Sequence, residues 1–386
     1  MKTKARIIAY YLPQFHAIPE NDKWWGEGFT EWTNVKKAKP LFKGHYQPRI
    51  PDDSLGYYDL LDPAVREKQA EMAREAGIEG FCYWHYWFGN GKRLLEKPFQ
   101  QVLESGKPDF PFCLGWANHS WTNKTWKGKD SLVQKGTLME QTYSEEDYVN
   151  HFHAVLPAFK DKRYIQVNGK PLFVIFDPLG IPDPPYFIAK WNELARQNGF
   201  EGVHFAGNSE HIQVQGKGFK RFCFPDQATI FSTVLEQKFN AVISVGTTRA
   251  EMKSKGYIRV LLDKIFLKMH LLPLRKYRHN YRNIIKYYHV KEEARTNVYP
   301  TIIPNWDRTP RIGTGAYREG IWHGSTPELF GQHVCNALDL VQHKPDEDRI
   351  IFLKSWNEWG EGNYIEPDTL FGKQYLETLK HTVVLS

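Results

Sequence analysis

At 386 residues, 41% of them hydrophobic, the chain has enough apolar material for one large domain with a sizeable core. Its net charge of +7 is modest, and no RNP-like or zinc-finger spacing accompanies it, which argues against nucleic acid as a partner. Aromatic residues make up 15%, including 13 Trp and 20 Tyr, an excess that suits stacking against the faces of sugar rings or of bases.

The four cysteines, Cys82, Cys113, Cys223 and Cys335, lie far apart with no CxxC pair, so neither a disulfide framework nor a zinc site is expected. The stretch MKTKARIIAYYLPQFH lacks the apolar core and small-residue cleavage site of a secretory signal. No segment reaches 18 uninterrupted apolar residues, so a cytoplasmic location is expected.

Residues 6–12 (RIIAYYL) predict a first strand, stopped by Pro13. A long loop follows, rich in large aromatics (Trp24, Trp25, Trp32) and holding Gln14, His16, Glu27 and Glu31. Asp62 before Pro63 is an N-cap signal for a helix over 64–76, closed by Gly77. The cycle then repeats. Strand 80–83 leads into Trp84, His85, Tyr86 and Trp87, and a helix over 92–106 follows. Strand 110–115 leads into Trp116, Ala117, Asn118, His119, Ser120 and Trp121. A helix around 144–159 precedes strand 171–176, which ends at Asp177; a helix over 185–198 precedes strand 203–206. Strands over 221–224, 298–303 (running into Trp306 and Asp307) and 349–354 complete the set.

Eight short strands alternating with helices predict a parallel sheet closed as a (β/α)8 TIM barrel, a single catalytic domain over 1–386. The polar and aromatic clusters all fall just after a strand, on the face where such barrels carry their sites. An open doubly wound sheet is the runner-up, but no GxGxxG follows the first strand. Residues 228–296 break the rhythm and predict a basic helical insertion of two or three helices after the sixth strand. Its charge fits a solvated helical face; the functional alternatives are an acidic polysaccharide, a lipid-linked glycan carrier or peripheral contact with a membrane surface.

The last strand runs into SWNEWGEGNYIEPD, with Trp356, Asn357, Glu358, Trp359 and Glu361 packed into six positions. Cleaving a glycosidic bond needs two carboxyl groups, and Glu358 and Glu361, three apart, would share one face of a helical turn. Trp356 and Trp359 beside them could exclude water and raise one pKa. Tyr10, Gln14, Trp84, Tyr86, Asn118, Trp121 and Trp306 carry the chemistry for sugar hydroxyls and ring faces, and Asp177 and Asp307 are further carboxylates. His16, His85 and His119 fit hydroxyl binding better than a metal, since no HxH or HExxH spacing exists. No P-loop, GxSxG or DxD is present, and no cofactor is expected.

The stretches YLPQFHAIPENDKWWGEGFTEWTNV, GHYQPRIP, GFCYWHYWF, LGWANHSW, NWDRTPR and SWNEWGEGNYIEP resemble the WbsX-type family, described as glycosyltransferase-like from O-antigen loci and related to glycoside hydrolase family 99. That resemblance implies a (β/α)8 barrel and a retaining mechanism in which the sugar's 2-hydroxyl attacks to give a 1,2-anhydro sugar. It aligns the Glu-Trp-x-Glu pair with Glu358 and Glu361, with Glu358 as base toward the 2-hydroxyl and Glu361 as acid, then base. Gly360 departs from the bulkier residue common in the mannosidases. Together these readings favour a retaining, endo-acting glycoside hydrolase on a bacterial surface polysaccharide. The rivals are a glycosyltransferase of O-antigen, lipopolysaccharide or capsule assembly and a non-catalytic glycan-binding barrel.

Overall fold

A computed structural model describes residues 2–122, 136–210, 212, 226–256, 258–260, 262 and 277–385. Its centre is a closed parallel barrel of eight strands: β1 (Arg6–Tyr11), β2 (Gly80–Trp87), β3 (Phe112–Trp116), β4 (Lys170–Ile175), β5 (His204–Asn208), β6 (Ala241–Ser244), β7 (Val298–Ile302) and β8 (Ile350–Leu353). Neighbours in sequence are neighbours in space, and β1 pairs with both β2 and β8, with Ile8 opposite Gly80 on one side and Phe352 on the other. The strands are almost wholly buried because helices cover their outer face while side chains fill the interior. The predicted (β/α)8 barrel is the fold.

The helices begin where the sequence places caps. Asp62 accepts from the Ala64 N–H ahead of Pro63–Glu75, and Ser144 accepts from Asp147 ahead of Glu145–Phe159. Asp183 and Thr326 do the same for Pro184–Gln197 and Pro327–Val341. Between helices and barrel lies an aromatic core in which Trp191 packs against Phe173, Phe187 and Phe205. Burying such side chains contributes roughly 1.5–3 kcal/mol each.

One expectation needs correcting. The predicted sixth strand over 221–224 lies outside the described residues, and the sixth place in the barrel is taken by Ala241–Ser244, paired to β5 and β7. This strand sits inside the stretch read as insertion. A four-residue strand set between helices Gln227–Glu236 and Thr247–Lys255 is too short to stand out by periodicity. The added segment therefore follows Ser244. Its described part packs helix Tyr281–Tyr288 on Thr247–Lys255, burying Ala250, Tyr281, Ile284 and Tyr288 against Ile303 and Trp322. Strand Arg278–Asn280 pairs in parallel with Ile321–His323. Among the described residues, no helix is long and apolar enough to cross a membrane.

Candidate active site

The C-terminal ends of the strands surround a cavity of about 480 Å³. Alternation along each strand decides what faces it. On β1, Tyr10 points inward while Tyr11 turns out to Gln69 (2.6 Å). On β2, Trp84 and Tyr86 face the cavity, and Tyr10 stacks on Trp84 at 4.6 Å between centroids and 5° between planes. Gln14, Trp25, His119, Trp121, Phe176, Asp177 and Trp306 close the walls from the loops.

Glu358 and Glu361 meet at the floor of this cavity. The chain leaves β8 and folds Trp359–Glu361 into a single 3-10 turn, with Glu358 just ahead of it in a non-helical conformation, and both carboxylates line the cavity. Ser355 Oγ accepts from the Glu358 N–H (2.9 Å). The turn ends on Gly362 at φ +64, where any Cβ would also press on Asp307 at 3.1 Å. Asn357 fastens the loop to the barrel: its Oδ1 accepts from the Leu12 N–H (2.7 Å) and its Nδ2 donates to the Leu12 carbonyl (3.0 Å).

Arg311 organises the charge. It lies in the short helix Thr309–Ile312, whose first N–H donates to Asp307 Oδ1 at 2.9 Å. Its Nη2 donates to Glu358 Oε1 and its Nη1 to Glu361 Oε1, both at 2.5 Å. Nε and Nη2 also reach Oε1 of the fully buried Glu31, at 3.1 and 3.0 Å. One planar guanidinium thus serves three carboxylates. Arg308 adds an ion pair to Glu361 at 3.1 Å, and Lys354, held by Glu210 at 2.5 Å, lies over the Trp306 ring at 4.7 Å.

The two carboxyls are driven apart. Burial raises Glu358, Arg311 offsets part of that, and the neighbouring Glu361 and Glu31 charges raise it again, leaving it at about 7. Glu361 is buried too, but Arg311, Arg308 and Lys354 outweigh the burial and hold it below the usual carboxylate range. Of the two, Glu358 therefore keeps its proton to the higher pH.

Several residues expected at the site lie elsewhere. His85 has the opposite parity to Trp84 and Tyr86, so it faces the helix layer, where its Nε2 sits 2.9 Å from that of His151. His16 is buried with Nδ1 on the Pro13 carbonyl (2.9 Å). Trp356 packs on Phe81 in the core, and Trp359 stacks on Tyr364 at 3.6 Å and donates to Glu366 (2.6 Å). Neither tryptophan lines the cavity; they brace the loop from behind. Asn118 exchanges two hydrogen bonds with the Asp177 backbone, 2.7 and 2.8 Å, and so sets the loop rather than the wall. Asp307 is buried among His45 (2.8 Å), Gln47 (2.7 Å) and Thr309.

Sequence reasoning passed over Arg311, Glu31, Lys354 and Asn208 as site residues. Glu31 and Arg311 are 280 positions apart, and nothing local marks them as partners. Among the described residues, no group of three or more His, Cys, Asp or Glu is placed to hold a metal ion.

The arrangement is similar in fold to known proteins. The GH99 endo-alpha-mannosidase from Bacteroides thetaiotaomicron, in complex with Bis-Tris-propane, superposes with a TM-score of 0.53 at 14% identity, over 98% of this chain and 95% of that one. A glycoside hydrolase-like protein gives 0.55 at 15% identity, over 99% and 94%. At such identities the likeness is one of fold. The uncharacterized protein WxcX of Xanthomonas campestris pv. campestris, strain ATCC 33913, is 34% identical over 389 residues, and the strain B100 protein is equally similar. That match takes in 98% of this chain and 50% of WxcX, so the chain spans about half the length of these relatives. A model of the family described as Glycosyltransferase WbsX matches residues 7–379, nearly the whole chain, and the chain belongs to that family.

Proposed function

We propose that this chain is a retaining, endo-acting glycoside hydrolase that cuts a bacterial surface polysaccharide or related glycan, with Glu358 and Glu361 as its carboxyl pair. The observation that carries the reading is the split between the two, one raised to about 7 and the other held ionised, on the floor of one aromatic cavity. Carboxylates gripped by neighbouring nitrogens of a single guanidinium favour the spacing of about 5–5.5 Å used by retaining enzymes over the wider gap that inverting enzymes need. Trp25, Trp84, Trp121 and Trp306 offer more stacking surface than one sugar ring requires, which supports binding of several residues of a glycan.

In this reading Glu358 gives its proton to the leaving oxygen as the glycosidic bond breaks. Glu361 takes the proton of the sugar's 2-hydroxyl as that oxygen bonds to the anomeric carbon, closing a 1,2-anhydro ring. Water then opens the ring at the anomeric carbon, returning one proton to Glu358 while Glu361 restores the hydroxyl. The family resemblance implies the opposite order of roles; the three cations around Glu361 support Glu361 as the base and Glu358 as the acid.

The test is turnover of wild type, Glu358→Gln and Glu361→Gln on α-mannosides, α-rhamnosides and O-antigen polysaccharides, with the anomeric outcome followed by NMR. Either variant is expected to lose at least about a hundredfold on native linkages. Glu358→Gln should keep most of the rate of leaving-group release on aryl glycosides with good leaving groups, a step that then needs no proton. If Glu361→Gln is the one that keeps it, the roles are reversed. Inversion would remove the 2-hydroxyl route.

The second reading is a transferase of polysaccharide assembly, favoured by the cations Arg308 and Lys354 on the cavity wall, which suit a phosphate-linked sugar donor. Consumption of a nucleotide- or lipid-linked sugar without polysaccharide cleavage would replace the hydrolase by the transferase. A rise in melting temperature with one ligand class and not the other separates them before any activity is found.

A further inference from the structure

We propose that Glu31 is a positioning residue of this site, and that glycine is required at position 360 because the Glu31 carboxylate occupies the space a side chain there would fill. The catalytic part of this inference rests on the glycoside-cleaving reading; the steric part does not.

Glu31 begins the short helix Glu31–Val35, with its N–H on the Gln14 carbonyl (3.0 Å) and Thr30 and Thr33 forming a reciprocal cap around it. Its side chain is wholly shielded from solvent. A buried carboxylate is costly unless a cation answers it, and the answering cation is Arg311. Because Glu31 engages the Nε–Nη2 edge, the guanidinium plane is set, with Nη2 reaching on to Glu358 and Nη1 to Glu361. Without Glu31, Arg311 would be free to turn its whole bidentate edge onto one catalytic carboxylate.

The approach is possible only through Gly360. A Cβ placed there would overlap Glu31 Oε1 and stand 3.0 Å from Arg311 Nε. Gly360 does not use a left-handed backbone, so space and not conformation demands glycine. The glycine between the two glutamates and the carboxylate of a distant loop are one device.

Two measurements test this. The first needs no substrate: melting temperatures of wild type, Gly360→Ala, Glu31→Ala and the double variant. Gly360→Ala is expected to lower the midpoint by roughly 5 °C, and by less than half as much when Glu31 is already alanine. Equal losses in both backgrounds would overturn the steric pairing. The second uses Glu31→Gln, which keeps the shape and removes the charge. The Glu31 charge, one of the causes that raise Glu358, is then gone while the shape that seats Arg311 remains. The Glu358 carboxyl, followed by carbon-13 NMR, should then titrate about one pH unit lower, with the alkaline limb of any glycan cleavage moving the same way. An unchanged titration would reduce Glu31 to a space-filling role. If Glu358 shifts while no glycan is ever cleaved by wild type, Glu31 still sets the charge balance at Glu358 and it is the hydrolase reading that fails.

Discussion

The backbone N–H of Asp307 donates to the carbonyl of Glu361 at 2.7 Å. This bond ties the backbone of the segment after β7, whose Arg308 and Arg311 side chains already grip the carboxyl pair, to the loop after β8 that carries that pair. The Asp307 side chain extends the junction to His45 and Gln47. Replacing Asp307 by alanine leaves several buried donors unpaired. It should cost about 3–5 kcal/mol in denaturant unfolding and displace Arg311 with it. Burial works against its charge, but His45 and Arg49 hold the Asp307 carboxyl below its usual range. Its contribution is therefore present above the unfolded-state pKa and lost as acid protonates it, below about pH 4. Acid unfolding of wild type against Asp307→Asn measures this directly.

The activity profile follows from the split pair. In the proposed assignment Glu358 acts with its proton on and sits at about 7, while Glu361 acts ionised and is held low. The free-enzyme profile of kcat/KM should fall as pH rises through about 7 and hold well into the acid range. Replacing Arg308 by methionine removes a cation from Glu361 and should move the acid limb upward. A profile rising above pH 8 would contradict the assignment.

Trp84 and Trp359 belong to one aromatic family in sequence and to two roles in space. Trp84 faces the cavity; Trp359 is fully buried behind it. Trp359→Ala should cost about 3–5 kcal/mol of stability. Trp84→Ala should cost less stability and weaken glycan binding by tenfold or more, as seen by calorimetry.

Stability itself should depend on pH. Glu366 accepts from Trp359, Tyr58 and Gln69, yet burial pushes it up to about 7, as it does Glu251. For a carboxyl raised on folding, the benefit of the folded environment is complete below the unfolded pKa and is lost as pH climbs to the folded one. Between about pH 4.5 and 7, Glu366 alone should remove up to about 3 kcal/mol. The melting temperature should fall from pH 5 to pH 8, and Glu366→Gln should flatten that slope.

What sequence could and could not convey is visible residue by residue. Apolar runs bounded by caps and Gly77 or Gly199 made the barrel legible, and Glu358 and Glu361 stood out because two carboxylates and two tryptophans crowd into six positions after a buried strand. Ala241–Ser244 was lost because a four-residue strand with three apolar positions carries no period. The position of His85 was available in principle: alternation from Trp84 puts it on the outer face. The side of the turn taken by Trp356 and Trp359 was not available, since composition does not say which way an aromatic points. Arg311 and Glu31 were the hardest, because an ion pair closed across 280 positions leaves no local trace.

The paired hydrogen bonds of Asn357 on Leu12 have a further meaning. A primary amide offers one acceptor and one donor set much as a peptide group does, so Asn357 imitates a missing residue of β8 and continues its ladder with β1 past the end of the strand. The carboxylate turn is thereby welded into the closing seam of the barrel. Its amides should exchange with deuterium on the slow clock of global unfolding, so the segment that carries the carboxyl pair should belong dynamically to the hub of the molecule and not to its rim.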